Sequence, residues 1–423
     1  MNTDTMTTSN TCHAPTADRC VFTKEEALAL LLSQVSAITD TETLSTETAF
    51  NRVLATTLTS PVSVPGWDNS AMDGYAIRHA DLAPCAGVLK VSQRIPAGVV
   101  GMPLEPGTAA RIFTGAPVPA GADTVVVQEI CERDDDQVRI PSDCKAGANI
   151  RHAGEDLRPG DRIIPAGQRL TAAHLGLAAS VGVGQLEVFR KLRVAILTSG
   201  NELVQPGEPL APGQIYNANR FILIGLLQGL GCEVVDLGRV ADTLDASQAA
   251  LRGGAREADL ILASGGVSVG EEDHLKPALE SIGSLELWNI NIRPGKPVAF
   301  GWVDGTPVLG APGNPVSLFV TCCLFARPLI LRRQGICGSL ASRMLRIRAG
   351  FDWLKPDKRT EYHRARLQVG SDGELELAVF PNRSSAAIAS LTWADGLVEI
   401  APGRVIHPGD RVDFMPFSDL LHA

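Results

Sequence analysis

The stretch from Ala258 to Lys276, ADLILASGGVSVGEEDHLK, decides the fold. It opens with four apolar residues at 260–263, a length typical of a strand that is buried on both faces of a sheet. Gly265 and Gly266 follow and free the backbone for a tight turn or a close ligand approach. Acidic residues then precede a predicted helix over 275–282. Units of this kind form the ligand crevice at the carboxyl edge of an open α/β sheet.

A plain turn with a solvated acidic helix start would explain this stretch if it stood alone, because acids favour helix N-termini. However, a second predicted strand, 192–197, also ends in a Ser-Gly turn followed by an acid, TSGNE at 198–202. Helices predicted over 219–230 and 246–257, with a strand over 232–237 between them, complete an alternating series. This series predicts a doubly wound, mainly parallel α/β sheet, and the repeated turn favours a ligand site at its edge.

The composition limits the class of protein and its partners. A chain of 423 residues is too long for one ordinary domain. Its hydrophobic content of 45% is ample for large cores. A net charge of −9 without a basic tract argues against nucleic acid and membrane partners. No apolar run is expected to approach the roughly 20 residues of a spanning helix. The nine scattered cysteines contain no CxxC pair, which indicates reduced thiols in a cytoplasm.

The chain around the α/β series divides into segments of different pattern, so that we predict an α/β and β multidomain protein. Short apolar runs broken by Gly and Pro indicate an inserted β module within a helical and extended stem. A β pattern returns after Gly335 and indicates a small C-terminal barrel or sandwich, of which we predict the barrel. The predicted boundaries are 1–20 for a disordered tail, 21–60 and 142–185 for the stem, 61–141 for the β module, 186–335 for the α/β domain and 336–423 for the barrel.

The stem carries its own local signals. Residues 23–36 are predicted to form an amphipathic helix in which Thr23 is the N-cap and Glu26 completes a capping box. We expect a second helix over 46–54, a pair of strands over 157–170 and a helix over 171–181.

Loop carboxylates indicate the chemistry. Three of them, Glu202, Asp242 and Asp273, follow strands of the predicted sheet. Carboxylates favour a hard cation such as Mg²⁺, which usually bridges phosphates. Lys296, on a stiff loop between prolines, and the helix start at Gly313 suit a phosphate-bearing ligand. Metal-assisted phosphoryl or nucleotidyl chemistry follows as a hypothesis, although each acid taken singly is equally well explained as a solvated surface residue. A Walker loop and a complete GxGxxG motif are absent from the sequence.

Seven motifs, in the same order, are similar to those of the molybdopterin molybdenumtransferase family, which includes MoeA and the gephyrin E domain. The resemblance covers nearly the whole chain after about Val21. The motifs are PGWDNSAMDGYA from Pro65, IFTGAPVP from Ile112, NIRHAGED from Asn149, LTSGNEL from Leu197, SGGVSVGEED from Ser264, RPGKP from Arg293 and GAPGNPVS from Gly310.

The resemblance implies an L-shaped homodimer of four-part subunits. It implies that adenylylated molybdopterin is hydrolysed with Mg²⁺ and molybdate, releasing AMP and molybdenum cofactor. The cleft would form between the α/β domain of one subunit and the β module of the other. Further partners would be the adenylyltransferase that makes the substrate and the maturation factors of molybdoenzymes.

Motif position and residue chemistry together give a set of candidate site residues. The predicted catalytic residues are Asp73, Asp156, Glu202 and Asp273, and the predicted Mg²⁺ ligands are Glu202, Asp242 and Asp273. The predicted substrate-binding residues are Thr114, Arg151, Ser264, Gly265, Gly266, Ser268, Lys296, Pro312, Gly313, Asn314, Pro315, Arg364 and Ser385.

The chain departs from the family pattern at four of the positions considered. Asn201 and Asn217 stand where many relatives have Asp, and Asn289 and Arg293 stand where relatives often carry lysines. Asn201 lacks the charge of a metal ligand, and Arg293 keeps the charge of a lysine but not its geometry.

Two other functions remain open at this point. The α/β domain alone resembles the adenylyltransferase that makes the same intermediate, but the additional β modules argue against that activity. A non-catalytic molybdopterin-binding or scaffold protein would bind without turnover. The chain lacks the long linker and second α/β domain that accompany a scaffold role.

Overall fold

Two compact units make up the protein, as seen in a computed structural model that describes residues 21–267 and 273–422. Within these residues, the larger unit contains the chain up to Glu42, Asn51–Ala55 and everything from Val188 onward. The smaller unit contains Thr43–Phe50 and Thr56–Glu187. The predicted tail over 1–20 lies outside the described residues, and the finer predicted boundaries remain predictions.

A six-stranded, mainly parallel sheet forms the centre of the larger unit, which confirms the predicted α/β architecture. Its spatial order is Glu233–Val240, Arg193–Ser199, Leu260–Ser264, Thr306–Ala311, Ala299–Val303 and Ser284–Trp288. The first four strands run parallel to one another, whereas the last two pairings, of Thr306–Ala311 with Ala299–Val303 and of Ala299–Val303 with Ser284–Trp288, are antiparallel. The antiparallel end was not predicted. It begins with a two-residue hairpin at Asp304 and Gly305, whose positive φ values of 48° and 81° suit the twist of the flanking strands.

Helices cover this sheet close to the predicted positions. They are Ala218–Gly229, Leu244–Glu257, Leu275–Ile282, Pro315–Thr321 and Arg327–Arg333, the last two being joined by a π-helical segment, Cys322–Ala326. Two short strands, Leu203–Val204 and Ile215–Tyr216, pair beside the sheet. Lys24–Gln34 packs Ala27 and Leu31 into the same core. Both hydrogen bonds of its predicted capping box are present, from Glu26 N to Thr23 Oγ1 at 3.2 Å and from Thr23 N to Glu26 Oε2 at 2.9 Å.

One helical stretch of the described chain, Pro315–Arg333, is long and apolar enough to cross a membrane, as judged by length and composition. The expectation that no apolar run approaches such a length was therefore wrong. Most of the stretch is buried, and side chains such as Leu318 and Phe325 pack in the core of the larger unit. A helix that is apolar on all sides is typical of such a core as well as of a membrane, and the burial explains its hydropathy.

A closed five-stranded barrel follows the α/β sheet, as predicted. Its strands are Leu345–Ala349, Thr360–Val369, Leu375–Val379, Gly396–Ile400 and Arg411–Pro416, with short helices at Ala389–Trp393 and Phe417–Leu420. The barrel closes because Thr360–Val369 pairs with both Leu375–Val379 and Gly396–Ile400. A sixth strand, Ile292–Arg293, adds to Thr360–Val369 in parallel register.

The smaller unit holds the predicted β module. Its six-stranded sheet has the order Thr124–Val127, Gly74–Ile77, Thr108–Ile112, Val88–Ile95, Gln137–Arg139 and Glu132–Asp134. The remaining elements of the described part of the chain are the helix Ala172–Ser180, the short strands Thr41–Ser45, Leu58–Thr59, Asn69–Ser70, Ile150–Arg151, Arg162–Ile164 and Gln185–Phe189, and 3₁₀ turns at Thr46–Thr48, His79–Asp81 and Gln128–Ile130.

Two local predictions in the stem were wrong. The helix expected over 46–54 is a single 3₁₀ turn, Thr46–Thr48, and Asn51 with a φ of 61° takes a left-handed conformation that ends any helical path. The strand pair expected over 157–170 is one strand, Arg162–Ile164, whose partner is Leu58–Thr59. A partner about a hundred residues away leaves no local pattern from which it can be recognised.

Candidate active site

A cavity of about 390 Å³ lies at the carboxyl ends of three neighbouring parallel strands in the larger unit. This is the edge at which an open α/β sheet binds ligands. The lining residues are Ser199, Gly200, Glu202, Asp242, Gly265, Gly266, Val267, Asp273, Pro297, Pro312, Gly313, Asn314 and Ser317. Most of the residues predicted from the α/β loops are thus brought together around one cavity, while Ser268 lies outside the described residues.

The two Ser-Gly turns pack directly against each other. Gly265 has a φ of +92°, and a Cβ atom at this position would lie 2.7 Å from the Ser199 carbonyl oxygen. Gly265 N also donates to the Ala311 carbonyl at 3.1 Å. The glycine therefore lets two strand ends approach closely and form a continuous cavity floor.

Asn219 is a site residue that the sequence analysis missed. Its Nδ2 donates to Ser264 Oγ at 2.9 Å and to the Gly313 carbonyl at 2.6 Å, so one amide ties the glycine turn to the loop that opens the long helix. The sequence showed only an amide in the first turn of a helix near the ligand edge.

The three predicted metal ligands all line the cavity, but the contacts of their carboxylates differ. Asp242 Oδ2 accepts a hydrogen bond from Asn201 N at 2.7 Å, which joins the loops after two strands. The Glu202 carboxylate folds over Gly200, where an added Cβ would lie 2.7 Å from its Oε2. Asp273 also lines the cavity. Within residues 21–267 and 273–422, no three His, Cys, Asp or Glu side chains are grouped closely enough to form a metal cage.

This donor set nevertheless fits Mg²⁺. All three side chains offer carboxylate oxygens, and proteins usually hold Mg²⁺ through one or two carboxylates while waters and substrate phosphates complete the shell. A preassembled three-residue cage is therefore not required.

The start of the long helix is less open to anions than predicted. Pro315 has no amide hydrogen, and Val316 N already donates to the Ser385 carbonyl at 3.0 Å. Asn314 is the N-cap residue, but its side chain makes no capping bond. The exposed backbone around Gly313 and Asn314 remains at the cavity, so any anion contact has to be made there.

The predicted C-terminal contacts lie behind this helix start. Arg364 is only 1% exposed, and it donates from Nε to Ser390 Oγ at 2.8 Å and from Nη2 to the Asn382 carbonyl at 2.7 Å. Burial lowers the pKa of this guanidinium. The structure thus makes Arg364 the support of the turn that carries Ser385, while its predicted substrate contact stays a prediction.

Lys296 and Arg293 lie on the same loop but differ in their contacts. Lys296 is exposed, and its carbonyl accepts a hydrogen bond from Ile290 N at 2.9 Å. Arg293 Nη1 donates to Asp357 Oδ2 at 2.7 Å, so its charge is already used in an ion pair with the barrel. Of this loop, Pro297 lines the cavity.

A second polar site lies in the smaller unit. Asp73 Oδ1 accepts hydrogen bonds from Thr114 N and Thr114 Oγ1, both at 2.8 Å, although the residues are 41 positions apart. These bonds lower the pKa of Asp73. The sequence predicted both residues from separate motifs, and the structure brings them together.

A third motif joins the same region. Asp68, which was not predicted, accepts hydrogen bonds from Ala153 N at 2.8 Å and from His152 Nδ1 at 3.1 Å, and these bonds lower its pKa. Arg151 and Asp156 are exposed. Three motifs that are distant in the sequence therefore meet in one loop cluster of the smaller unit.

Comparison with known proteins places these motifs in a family. Three family models match in succession: the MoeA N-terminal region (domain I and II) over residues 22–182, the probable molybdopterin binding domain over 195–332 and the MoeA C-terminal region (domain IV) over 346–417. A molybdopterin molybdenumtransferase from Haemophilus influenzae is 36% identical over 404 residues, covering 95% of this chain and 100% of the relative.

The chain belongs to the molybdopterin molybdenumtransferase family. A second relative with that name, from Nostoc sp., is 36% identical over 341 residues and covers 78% of each chain. The crystal structure of a molybdopterin biosynthesis moeA protein from Pyrococcus horikosii is similar with a TM-score of 0.78 at 31% identity, covering 94% of this chain and 99% of that one. The likeness extends over both units and the barrel, and it identifies the chain as a transferase of molybdenum cofactor biosynthesis.

Two departures from the pattern of molybdopterin molybdenumtransferases have a structural explanation. Asn217 is fully buried, caps the helix through Oδ1 to Arg220 N at 3.2 Å and donates from Nδ2 to Thr198 Oγ1 at 2.8 Å. A carboxylate could not donate that second bond. Asn289 takes a φ of +74°, a left-handed conformation that asparagine tolerates better than lysine.

Proposed function

We propose that this transferase inserts molybdenum from molybdate into adenylylated molybdopterin and releases AMP in an Mg²⁺-dependent reaction. The observation that carries the proposal is the convergence of Glu202, Asp242 and Asp273 on one cavity between two Ser-Gly turns and a helix start. Carboxylates would repel an anionic substrate unless a cation stood between them, so this lining favours phosphate bound through Mg²⁺.

The residues divide into roles on this proposal. Glu202, Asp242 and Asp273 hold Mg²⁺, which when bound polarises phosphate oxygens and neutralises charge. The glycine turns give the substrate room to approach the backbone. Lys296 and the amides around Gly313 attract and orient the phosphate or molybdate oxygens.

We also propose a homodimer in the cytoplasm, with Asp73 and Asp156 acting from the partner subunit together with Thr114 and Arg151. The hydrogen bonds from Thr114 to Asp73 fix that carboxylate in one orientation, which suits a group that positions substrate. Light scattering should give a mass of about twice 44.8 kDa. Mixing an inactive Glu202 variant with an inactive Asp73 variant should restore activity if each site takes residues from two subunits.

The deciding experiment measures AMP release from adenylylated molybdopterin, with and without molybdate and Mg²⁺. Release that requires Mg²⁺ and is driven by molybdate supports the proposal. Consumption of ATP with formation of the adenylylated compound would instead support the adenylyltransferase alternative. Tight binding without any AMP would support a non-catalytic binding protein. The full-length relatives named as molybdenumtransferases do not favour either alternative.

A further inference from the structure

The loop that carries Lys296 and the cavity-lining Pro297 begins on the barrel. Its first residues, Ile292–Arg293, form a strand that pairs in parallel with the barrel strand, with Ile292 opposite Thr360 and Arg293 opposite Glu361. Thr360 N also donates to the Asn291 carbonyl at 3.3 Å. The barrel therefore fixes where this loop starts.

Asp357 holds the start of the loop through an ion pair. Its Oδ2 accepts from Arg293 Nη1 at 2.7 Å, and its Oδ1 accepts from Arg359 N at 3.0 Å and Arg359 Nε at 3.2 Å. The guanidinium groups of Arg359 and Arg293 keep the pKa of Asp357 well below its usual range. Asp357 is therefore ionised at any physiological pH, and Arg293 always has a partner.

A buried carboxylate anchors Asp357 in turn. Glu361 is 1% exposed, and its Oε2 accepts from Asp357 N at 3.1 Å and from Trp353 Nε1 at 2.9 Å. His363 Nε2 lies 3.3 Å from the other oxygen. Moving the backbone of Asp357 would leave a buried charge short of donors, which is costly.

The far end of the loop is pressed against the helix that lines the cavity. Gly295 has a φ of +102°, and an added Cβ would lie 2.9 Å from Thr321 Oγ1 and 3.6 Å from the Ser317 carbonyl oxygen. Pro297 and Ser317 both line the cavity. The loop is thus held between the barrel at one end and the cavity wall at the other.

We propose that Asp357 is a positioning residue for the reaction, which fixes the Arg293–Pro297 segment at the cavity through its ion pair with Arg293. The proposal rests on the function proposed above for the cavity. Asp357 does not itself line the cavity, so it acts through Arg293 and the loop rather than on the substrate. The barrel then sets the geometry of a site that lies in the α/β sheet.

The test compares Asp357→Asn with a matched control, Asp372→Asn. Asp372 has the same local arrangement, because it pairs with the guanidinium of Arg348 and accepts from the amide two residues later, Glu374 N, at 3.1 Å. Among the described residues, its side-chain partners Arg348 and Glu374 both belong to the barrel, whereas Asp357 also pairs with Arg293 of the loop. Hydrogen exchange of the 289–297 segment should become faster in Asp357→Asn and stay unchanged in Asp372→Asn.

The kinetic arm is a double-mutant cycle with Arg293→Gln. Asp357→Asn should lower kcat/KM for AMP release by about 10- to 100-fold, since small displacements of positioned groups cost that much. It should cause little further loss in the Arg293→Gln background, because the interaction is already gone. Arg293→Lys keeps the charge and should lose less than Arg293→Gln.

Several results would overturn the proposal. They are equal effects of Asp357→Asn and Asp372→Asn, unchanged exchange in 289–297, or additive losses in the cycle. If Asp357→Asn does not fold, Arg293→Gln alone decides, because Arg293 is 44% exposed at the surface. In Arg293→Gln, hydrogen exchange of the 289–297 segment must then be faster and kcat/KM for AMP release must be lower than in the wild-type protein. Absence of AMP release from the wild-type protein would refute the proposed function instead, and the exchange comparison would still test the positioning.

Discussion

The acidic loops of the two units use their carboxylates in different ways. In the smaller unit, Asp73 and Asp68 each accept two hydrogen bonds from neighbouring loops. In the larger unit, the Glu202 carboxylate makes no hydrogen bond or ion pair within residues 21–267 and 273–422, and Asp242 accepts from a backbone amide. Lone pairs that are already satisfied fix a loop, whereas unsatisfied ones can bind a cation. The carboxylates of Asp73 and Asp68 therefore suit positioning, whereas that of Glu202 suits metal binding.

The largest expected effect tests the metal-binding side of this comparison. Glu202→Gln should lower kcat for AMP release roughly 100-fold, because it would remove a charged ligand of the proposed Mg²⁺ site. The Tm should stay unchanged, since the side chain is exposed. The control is Glu208→Gln, an exposed glutamate of the same loop region that does not line the cavity. Similar activity of the two variants would remove Glu202 from the metal set.

The next largest effect, about tenfold on kcat/KM, is expected when the side-chain amide of Asn219 is removed. Asn219→Ala removes both hydrogen bonds that tie Ser264 to the Gly313 loop, each worth about 1 kcal/mol. We expect kcat/KM to fall by about tenfold, since tenfold corresponds to about 1.4 kcal/mol. Gln228→Ala, on the exposed face of the same helix, is the control. Equal kcat/KM values for the two variants would show that the hydrogen bonds of Asn219 do not determine the shape of the cavity.

A substitution next to Asp73 in the smaller unit should change the pH dependence of the reaction rather than its Mg²⁺ requirement. Thr114→Val removes a hydroxyl donor that favours the ionised form of Asp73, so the pKa of Asp73 should rise towards its ordinary value. If ionised Asp73 is needed, the acid limb of kcat/KM should move to higher pH, and activity at neutral pH should change little.

The control for this shift is Thr108→Val, because the Thr108 hydroxyl donates to the Glu105 carbonyl in the same module. Titration of carboxyl carbons by ¹³C NMR reports the pKa of Asp73 directly. An acid limb that stays in place despite a raised pKa would mean that Asp73 only fixes the loop.

The smallest effect concerns Asn201. Asn201→Asp leaves its backbone bond to Asp242 possible and adds a carboxylate beside the proposed ligands. Metal affinity rises with the number of charged ligands, so the Mg²⁺ concentration for half-maximal rate should fall roughly threefold. Asn217→Asp serves as the contrast, because it would bury a charge and should lower the Tm instead. An unchanged Mg²⁺ requirement in Asn201→Asp would place this residue outside the metal shell.

Much of the fold and part of the site could be predicted from local patterns. Short apolar runs ending in Gly265 or Gly200 located the parallel strands and their ligand edge, because strand length and turn chemistry are local properties. The Asp304-Gly305 hairpin was also readable in principle, since an Asp-Gly pair between apolar runs is a strong turn signal.

The rest depends on pairs that no local pattern contains. Asn219 meets a carbonyl 94 residues away, and Arg293 meets Asp357 at a distance of 64 residues in the chain. The burial of Arg364 could not be predicted either. The sequence pattern of a β-strand is the same whether its arginine is exposed to solvent or is buried and hydrogen-bonded to a turn. The sequence thus predicted the cavity floor but not the contacts that hold its loops in place.

The helical stretch Pro315–Arg333 has a consequence for how the protein is made. Many of its core partners, such as Val194 and Leu262 on the sheet, are synthesised before it, whereas barrel partners such as Leu397 and Met415 follow later. Because chains fold from the N-terminus as they leave the ribosome, the sheet can cover this segment as soon as it emerges. A mutation that delays the sheet would leave this 19-residue segment of high mean hydropathy exposed to chaperones and membrane-insertion machinery. Defects in the early strands should therefore reduce yield in the cell more than their effect on the folded state alone would suggest.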